Sequence, residues 1–273
     1  MIVVTGGTGN VGRTLVARLA AAGEAVTAVA RHITGEDVPP GVRTVAADLG
    51  RPADLAPALE GATALFLLVA GDDPDGVLEQ AAAAGVRRVV LLSSQAVATR
   101  PHSYAHAAGF EAAVARSGLR FTVLRSGGMA SNALTWAGPV RRHRTAAAPF
   151  ADVALPFVDP DDVAEVAAAV LRQDGHAGVT YTLTGPGATT PRQRAAALAD
   201  ALGEPVDFVE QTREEARAQL ARFMPDAVVE GTLAVLGEPT AEERAVTDDV
   251  RRVLGRPAAP FAAWAARNAA AFR

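Results

Sequence analysis

The chain has 273 residues, 49% of them hydrophobic, with a formal net charge of −4 spread along its length and no cysteine. That is enough apolar material for one large domain or a domain with a second lobe, and the charge balance argues against nucleic-acid or anionic-membrane surfaces. Without cysteine there are no disulfides or thiolate metal sites, and because all 26 basic residues are arginine, no step can rest on a lysine.

The first elements in chain order are the most informative. Ile2–Thr5 reads as a buried strand, followed by Gly6-Gly7-Thr8-Gly9-Asn10-Val11-Gly12. A helix follows over Val11–Ala22, with apolar positions at Val11, Leu15, Val16 and Leu19. Glycines at 6, 9 and 12 let the backbone turn tightly and leave bare main chain for a pyrophosphate, which the helix N-terminus attracts. A glycine pattern alone is weak; strand before and helix after supply the context that dinucleotide binding requires.

Further strands are expected at Ala25–Ala30, Arg43–Ala46, Ala64–Val69, Val86–Leu92 and Phe121–Leu124. Helices are expected between them at Pro52–Leu59, Pro74–Ala84 and Tyr104–Arg116. Continuous apolar strands alternating with helices predict an α/β fold, a doubly wound parallel Rossmann sheet covered on both faces. In the second half, helices are expected at Val163–Leu171, Thr190–Leu202, Arg213–Phe223, Val228–Leu236 and Ala258–Ala271, and strands at Val179–Thr184 and Val206–Glu210. Pro139–Pro156 reads as irregular, a flap or crossover. The expected division is a dinucleotide-binding domain over 1–156 and a smaller, mostly helical substrate lobe over 157–273. The boundary is soft, since some later strands return to the sheet. The longest apolar run, Ala62–Ala70, is too short to span a bilayer, and the N-terminus lacks the basic segment of a signal peptide. The expectation is a cytoplasmic protein, monomer or homodimer, acting on a small molecule, with no membrane or nucleic-acid partner.

The second strand ends in Arg31 and His32, where an enzyme selecting NAD usually carries an acid on the ribose 2′-hydroxyl. A cation there suits a 2′-phosphate, so NADP(H) is expected, with Arg13 in reach of the same group. Arg31 stacked on adenine, admitting both cofactors, is the alternative. Asp48, followed by Leu49, is placed either to bind the adenine amino group or to cap a helix. Val69, Ala70 and Gly71 end the fourth strand under the expected ribose, and Ser93 and Ser94 end the fifth at the nicotinamide end. No metal-ligand spacing, nucleophile elbow or P-loop lysine is present.

These residues resemble a known family. GGTGNVG, Asp48-Leu49, Leu91-Leu92-Ser93-Ser94 and Thr122-Val123-Leu124-Arg125 are similar to the NmrA-like branch of the atypical short-chain dehydrogenases/reductases. So are Gly127-Gly128-Met129 with Asn132, Phe157-Val158-Asp159-Pro160-Asp161-Asp162-Val163-Ala164 and Tyr181-Thr182-Leu183-Thr184-Gly185-Pro186. The resemblance spans nearly the whole chain. It implies a Rossmann domain, a small substrate lobe and an NAD(P)(H) cofactor, in a branch containing quinone, azo-dye and carbonyl reductases, natural-product ketoreductases and redox sensors without turnover. Ordinary members of the superfamily pair a Tyr with a Lys four residues later; here Tyr104 is followed at that distance by Ala108. Without the lysine, a phenol near pKa 10 is poorly tuned for acid–base work at neutral pH.

Candidates to stabilise or protonate a developing oxyanion are Ser94, Tyr104 and His106, beside water or the substrate itself. Each has a plainer reading: Ser94 as a binding group, Tyr104 as pocket wall, His106 as a surface histidine. Gln95, Met129, Asn132, Trp136, Phe150, Phe223 and Met224 are the expected substrate contacts, an apolar pocket with sparse polar anchors. The basic run Arg141-Arg142-His143-Arg144 reads as a solvated face or, on a flap, as a contact for an anionic substrate or the cofactor phosphates. The expected function is an NADPH-dependent reductase, ketoreductase or quinone type, of a planar, largely apolar carbonyl, natural-product tailoring being one form. A non-catalytic NADP(H)-binding redox sensor is the alternative, and an isomerase or dehydratase a third.

Overall fold

In the computed structural model, which describes residues 1–273, seven short apolar strands lie side by side and all run parallel. They are β1 (Ile2–Thr5), β2 (Val26–Ala30), β3 (Arg43–Ala46), β4 (Ala64–Leu68), β5 (Arg88–Ser94), β6 (Arg120–Ser126) and β8 (Val179–Leu183), in the order β3-β2-β1-β4-β5-β6-β8. Parallel strands need crossovers. These are α1 (Gly12–Ala21), α2 (Ala56–Leu59), α3 (Pro74–Ala83), α4 (Ala96–Thr99), α5 (Ala105–Arg116) and α7 (Pro160–Arg172). Alternation along each strand sends side chains to opposite faces. Ile2, Val4, Phe66, Val90 and Leu124 pack with α1 and α7 on one side. Val3, Leu65, Leu67, Val89 and Val123 pack with α3 and α5 on the other. The strand order reverses between β1 and β4, and the crevice beyond their carboxyl ends is where such sheets take ligands.

A second layer sits over that edge. It contains α6 (Ala137–His143), β7 (Thr145–Pro149), α8 (Pro191–Leu202), β9 (Asp207–Gln211), α9 (Arg213–Leu220) and α10 (Asp226–Gly237). The short α11 (Ala241–Arg244), α12 (Asp249–Leu254) and α13 (Phe261–Asn268) complete the chain. Its core joins Ala130, Trp136, Val140 and Ala146 to Leu198, Phe261, Trp264 and Phe272. The segment 139–156 is therefore not irregular throughout: β7 pairs in parallel with β9. Only Thr145 in its Thr-Ala-Ala-Ala-Pro sequence is β-branched, so the partner strand more than local propensity creates it. The arginines at 141 and 142 and His143 fill the last turn of α6, where cations suit the helix dipole. A cut after 156 does not separate the two layers: α7 and β8 pack with the sheet, while residues 130–148 pack with the lobe.

The C-terminal segment is stapled back onto the sheet layer by charge. Arg256 binds Asp162 at 2.8 Å and Glu165 at 2.5 Å, and Arg267 pairs with Asp159. Asp162 is 2% exposed and also accepts from the Ala259 amide at 2.7 Å. Arg256→Ala leaves that buried carboxylate with one amide partner. Denaturant unfolding should show about 2–3 kcal/mol lost, below the full range for a broken buried pair because the Ala259 amide remains. A loss within about 0.5 kcal/mol, the scatter of ordinary surface substitutions, would show that the staple carries no stability.

Candidate active site

The turn after β1 is shaped by what it lacks. A Cβ at Gly12 would run into the Gly6 carbonyl, and one at Gly6 into the Leu68 side chain; Gly6 also holds φ +66°. Gly7 donates to Val29 O at 2.9 Å and Gly9 to Gly6 O at 2.9 Å, closing the turn. The amides of Asn10, Val11 and Gly12 are left without backbone acceptors at the positive end of α1, which has no acid in its first turn. Bare amides, a helix N-terminus and space that side chains would fill are what a dinucleotide pyrophosphate requires, so the residues present fit the group.

The flanks continue the groove. Arg31 is exposed at the end of β2 and forms no ion pair, and Arg13 is exposed in the first turn of α1, its guanidinium 3.4 Å from Thr8 O. Asp48 Oδ1 accepts from the Gly50 amide at 3.0 Å, so this carboxylate closes its own turn beside Leu49. Gly71, at φ +77°, lies against the Leu49 and Gly50 backbone, bringing the 69–71 strand end under the 48–50 loop. Ser93 points away from this side: its hydroxyl donates to Glu111 Oε1 at 2.6 Å, and Glu111 is also gripped by Arg125 at 2.6 and 3.0 Å. That network fixes the ends of β5 and β6 from beneath.

At those ends opens a cavity of about 520 Å³. Ser94, Gln95, Tyr104, Met129, Asn132, Trp136, Phe223 and Met224 all line it, with Gly127, Gly128, Phe157, Arg194, Leu220, Thr232 and Glu243 among the others. Eight expected residues thus line one cavity. Phe223 is 80% exposed at the rim. Phe150 is not on the wall; its ring packs on Gly237 and the small cluster of Ala216, Val229 and Leu233. His106 is also elsewhere, half exposed, edge-on to Phe110 and 3.9 Å from Asp72.

Tyr104 is the one tyrosine in the cavity wall, and it is half-buried. Its hydroxyl lies 2.9 Å from Thr232 Oγ1, and burial pushes the phenol's pKa up from its ordinary value. Gly231 makes room for it, since a Cβ there would strike Ser103 and the Tyr104 ring. Ser94 Oγ accepts from the Ala96 amide at 3.2 Å, leaving its proton free to donate. Gln95 donates to Glu242 O at 2.8 Å, and Arg100 binds Glu243 at 2.9 and 3.1 Å, so α11 closes the cavity floor. Burial alone would raise the Glu243 pKa; the Arg100 guanidinium and the Thr240 amide hold it lowered. Sequence reasoning missed Thr232 and Arg194. Nothing local marks Thr232, but α8 opens Pro-Arg-Gln-Arg with no acid in its first turn, an unusual start for a helix.

Residues 6–174 match the NAD(P)H-binding family model. The chain is 38% identical over its whole length, and over 99% of the relative, to the (4-alkanoyl-5-oxo-2,5-dihydrofuran-3-yl)methyl phosphate reductase of Streptomyces griseus. It is 32% identical, with 100% and 99% covered, to the NAD(P)H azoreductase of Xenophilus azovorans. The NADPH complex of an Escherichia coli quinone oxidoreductase superposes with a TM-score of 0.80 at 25% identity, covering 98% of this chain and 99% of that one. The chain belongs to the NAD(P)H-binding family, in its atypical short-chain dehydrogenase/reductase form, and is an NAD(P)H-dependent oxidoreductase.

Proposed function

We propose that the protein is a cytoplasmic, NADPH-dependent reductase of a planar, largely apolar carbonyl or quinone, working without a Tyr–Lys dyad. The observation that carries this reading is the cavity itself. It opens where β5 and β6 end, beyond the phosphate-binding turn, and sets the hydroxyls of Ser94 and Tyr104 beside the apolar side chains of Met129, Trp136 and Leu220. The relatives support it: their names are of an alkanoyl-dihydrofuranone phosphate reductase, an azoreductase and a quinone oxidoreductase.

The bound cofactor supplies the hydride. Everything else falls to this chain. The Asn10, Val11 and Gly12 amides hold the pyrophosphate and Arg31, helped by Arg13, reads the 2′-phosphate. Asp48–Leu49 and Val69–Gly71 flank the adenosine. Met129, Trp136 and Leu220 press a flat acceptor into place and exclude water, and positioning accounts for much of the acceleration. Ser94 and Tyr104 donate hydrogen bonds to the oxygen that gains charge. Tyr104 does so as a neutral phenol, because its raised pKa keeps the proton on at working pH. His106 stands outside the cavity, and no proton path runs through it in this reading.

Two measurements test this. First, loss of absorbance at the reduced-nicotinamide band, followed with a panel of quinones and aromatic ketones, should be faster with NADPH than with NADH. Arg31→Asp should cut that preference by about tenfold or more, the worth of a charge-assisted hydrogen bond. Tight NADPH binding with no oxidation across the panel would overturn the reductase reading. Second, Tyr104→Phe should lower kcat by about tenfold to hundredfold with KM little changed. Wild-type kcat should show no limb from this phenol between pH 7 and about 9, because a pKa raised above the ordinary value moves its deprotonation to more alkaline pH. A neutral-pH limb that vanishes in Tyr104→Phe would contradict a neutral donor.

A further inference from the structure

The cavity wall contains a buried cation with no counter-ion. Arg194 is 6% exposed, on the first turn of α8, and lines the cavity. Its Nη1 donates to Thr189 O at 2.7 Å, and no carboxylate pairs with it. Burial alone brings its pKa down to about 10, with no acid close enough to pull it back. Glu243 shares the cavity, but its charge is already held by Arg100 on both oxygens. Arg192, the other arginine of that turn, is paired with Asp152 at 3.3 Å. The net charge facing the cavity is therefore the Arg194 guanidinium.

Burying an unpaired ion costs several kcal/mol, and a hydrophobic residue of similar volume usually replaces it without loss. Here the surroundings hold the guanidinium in place instead. Its carbon sits 3.9 Å above the centre of the Phe157 ring, a cation–π stack that fixes the plane. Phe157 is itself seated by two glycines: a Cβ at Gly128 would strike its ring, and one at Gly185 its carbonyl. With Nη1 committed to Thr189, Nε and Nη2 have no partner in the protein. Parallel N–H donors on one edge of a fixed plane match the two oxygens of a carboxylate or phosphate. The positive end of α8, a helix of 12 residues opened without an acid, adds to the same field.

We propose that Arg194 is an anion subsite of this cavity: the substrate carries, apart from its reducible carbonyl, a carboxylate or phosphate-ester group that pairs with the free edge of the guanidinium. This rests on the reading of the cavity as the reductase's substrate site. The substrate is then amphiphilic, a flat apolar body against Trp136 and Met129 with one anionic end at Phe157 and Arg194. Reduction is unchanged by this contact; it selects the ligand and sets its direction in the cavity.

Three probes with one apolar body test it by calorimetry on the full chain, with NADP⁺ present: 1-naphthoate, 1-naphthyl phosphate and the neutral 1-naphthamide. The wild type should bind at least one anion about tenfold or more tighter than the amide. Whichever anion binds tighter identifies the group, carboxylate or phosphate. Arg194→Gln should reduce the anions to the affinity of the amide and leave the amide unchanged; Arg194→Lys, which keeps charge but not the fork, should retain part of the preference. Equal binding of all three probes by the wild type would overturn the proposal, even if the variants do not fold. So would an undiminished preference in a folded Arg194→Gln. NADPH oxidation with neutral quinones is scored separately: its absence counts against the reductase reading alone, and its presence beside equal probe binding counts against the anion subsite alone.

Discussion

The contact between Gly12 and the Gly6 carbonyl is the constraint from which the rest of the site follows. Because neither residue has a Cβ, α1 starts directly against the end of β1, and its free amides face the crevice where the strand order reverses. That fixes where the phosphates lie. In the proposed reading, the reactive end of the dinucleotide then lies further along the carboxyl edge, beside Ser94 and Gly127, where β5 and β6 end. Any side chain at position 12 would push the helix out and move every later contact. The buried hydrophobic faces of the sheet make this edge rigid, with α1 and α7 on one side and α3 and α5 on the other.

The substrate side is assembled differently. Its walls come from segments distant in sequence, and polar clamps rather than one continuous core hold them together. Ser93, Glu111 and Arg125 lock the ends of β5 and β6 from below. Arg100 and Glu243, with Gln95 on the Glu242 carbonyl, fasten α11 to the segment that carries Ser94 and Tyr104. Arg256 and Arg267 fasten the chain end to the acids that open α7. With no lysine in the chain, arginine makes every cationic side-chain contact, and its planar fork suits these bidentate clamps. The same absence leaves Tyr104 without a lysine four residues on, its half-buried hydroxyl 2.9 Å from Thr232 Oγ1.

Much of this was legible in the sequence. The apolar period and the glycine turn pointed to the parallel sheet and the cofactor, because each is a local pattern, and the resemblance of the later motifs led to part of the cavity wall. What escaped depends on partners far away in the chain. β7 is a strand only because β9 lies beside it, so Thr145–Pro149 carries no strand signal of its own. Ser93 and Ser94 are adjacent and look alike, but strand alternation sends one to Glu111 and the other to the cavity. His106 follows Tyr104 by two residues, a spacing that does not share a helical face; α5 begins at Ala105, and the imidazole stands outside the cavity. Nothing in the sequence singles out Arg194; only the fold sets it against the Phe157 ring and the Thr189 carbonyl.

The central claim is that the phosphate-binding turn and the Tyr104 cavity form one continuous site, served by a cofactor whose 2′-phosphate lies on Arg31. A crystal structure of the NADP⁺ complex tests it most directly. The account predicts the pyrophosphate on the Asn10, Val11 and Gly12 amides, the 2′-phosphate on Arg31, and the nicotinamide between Ser94 and Gly127 with one face open to the cavity. A nicotinamide lying outside that cavity, or a 2′-phosphate turned away from Arg31 and Arg13, would contradict it.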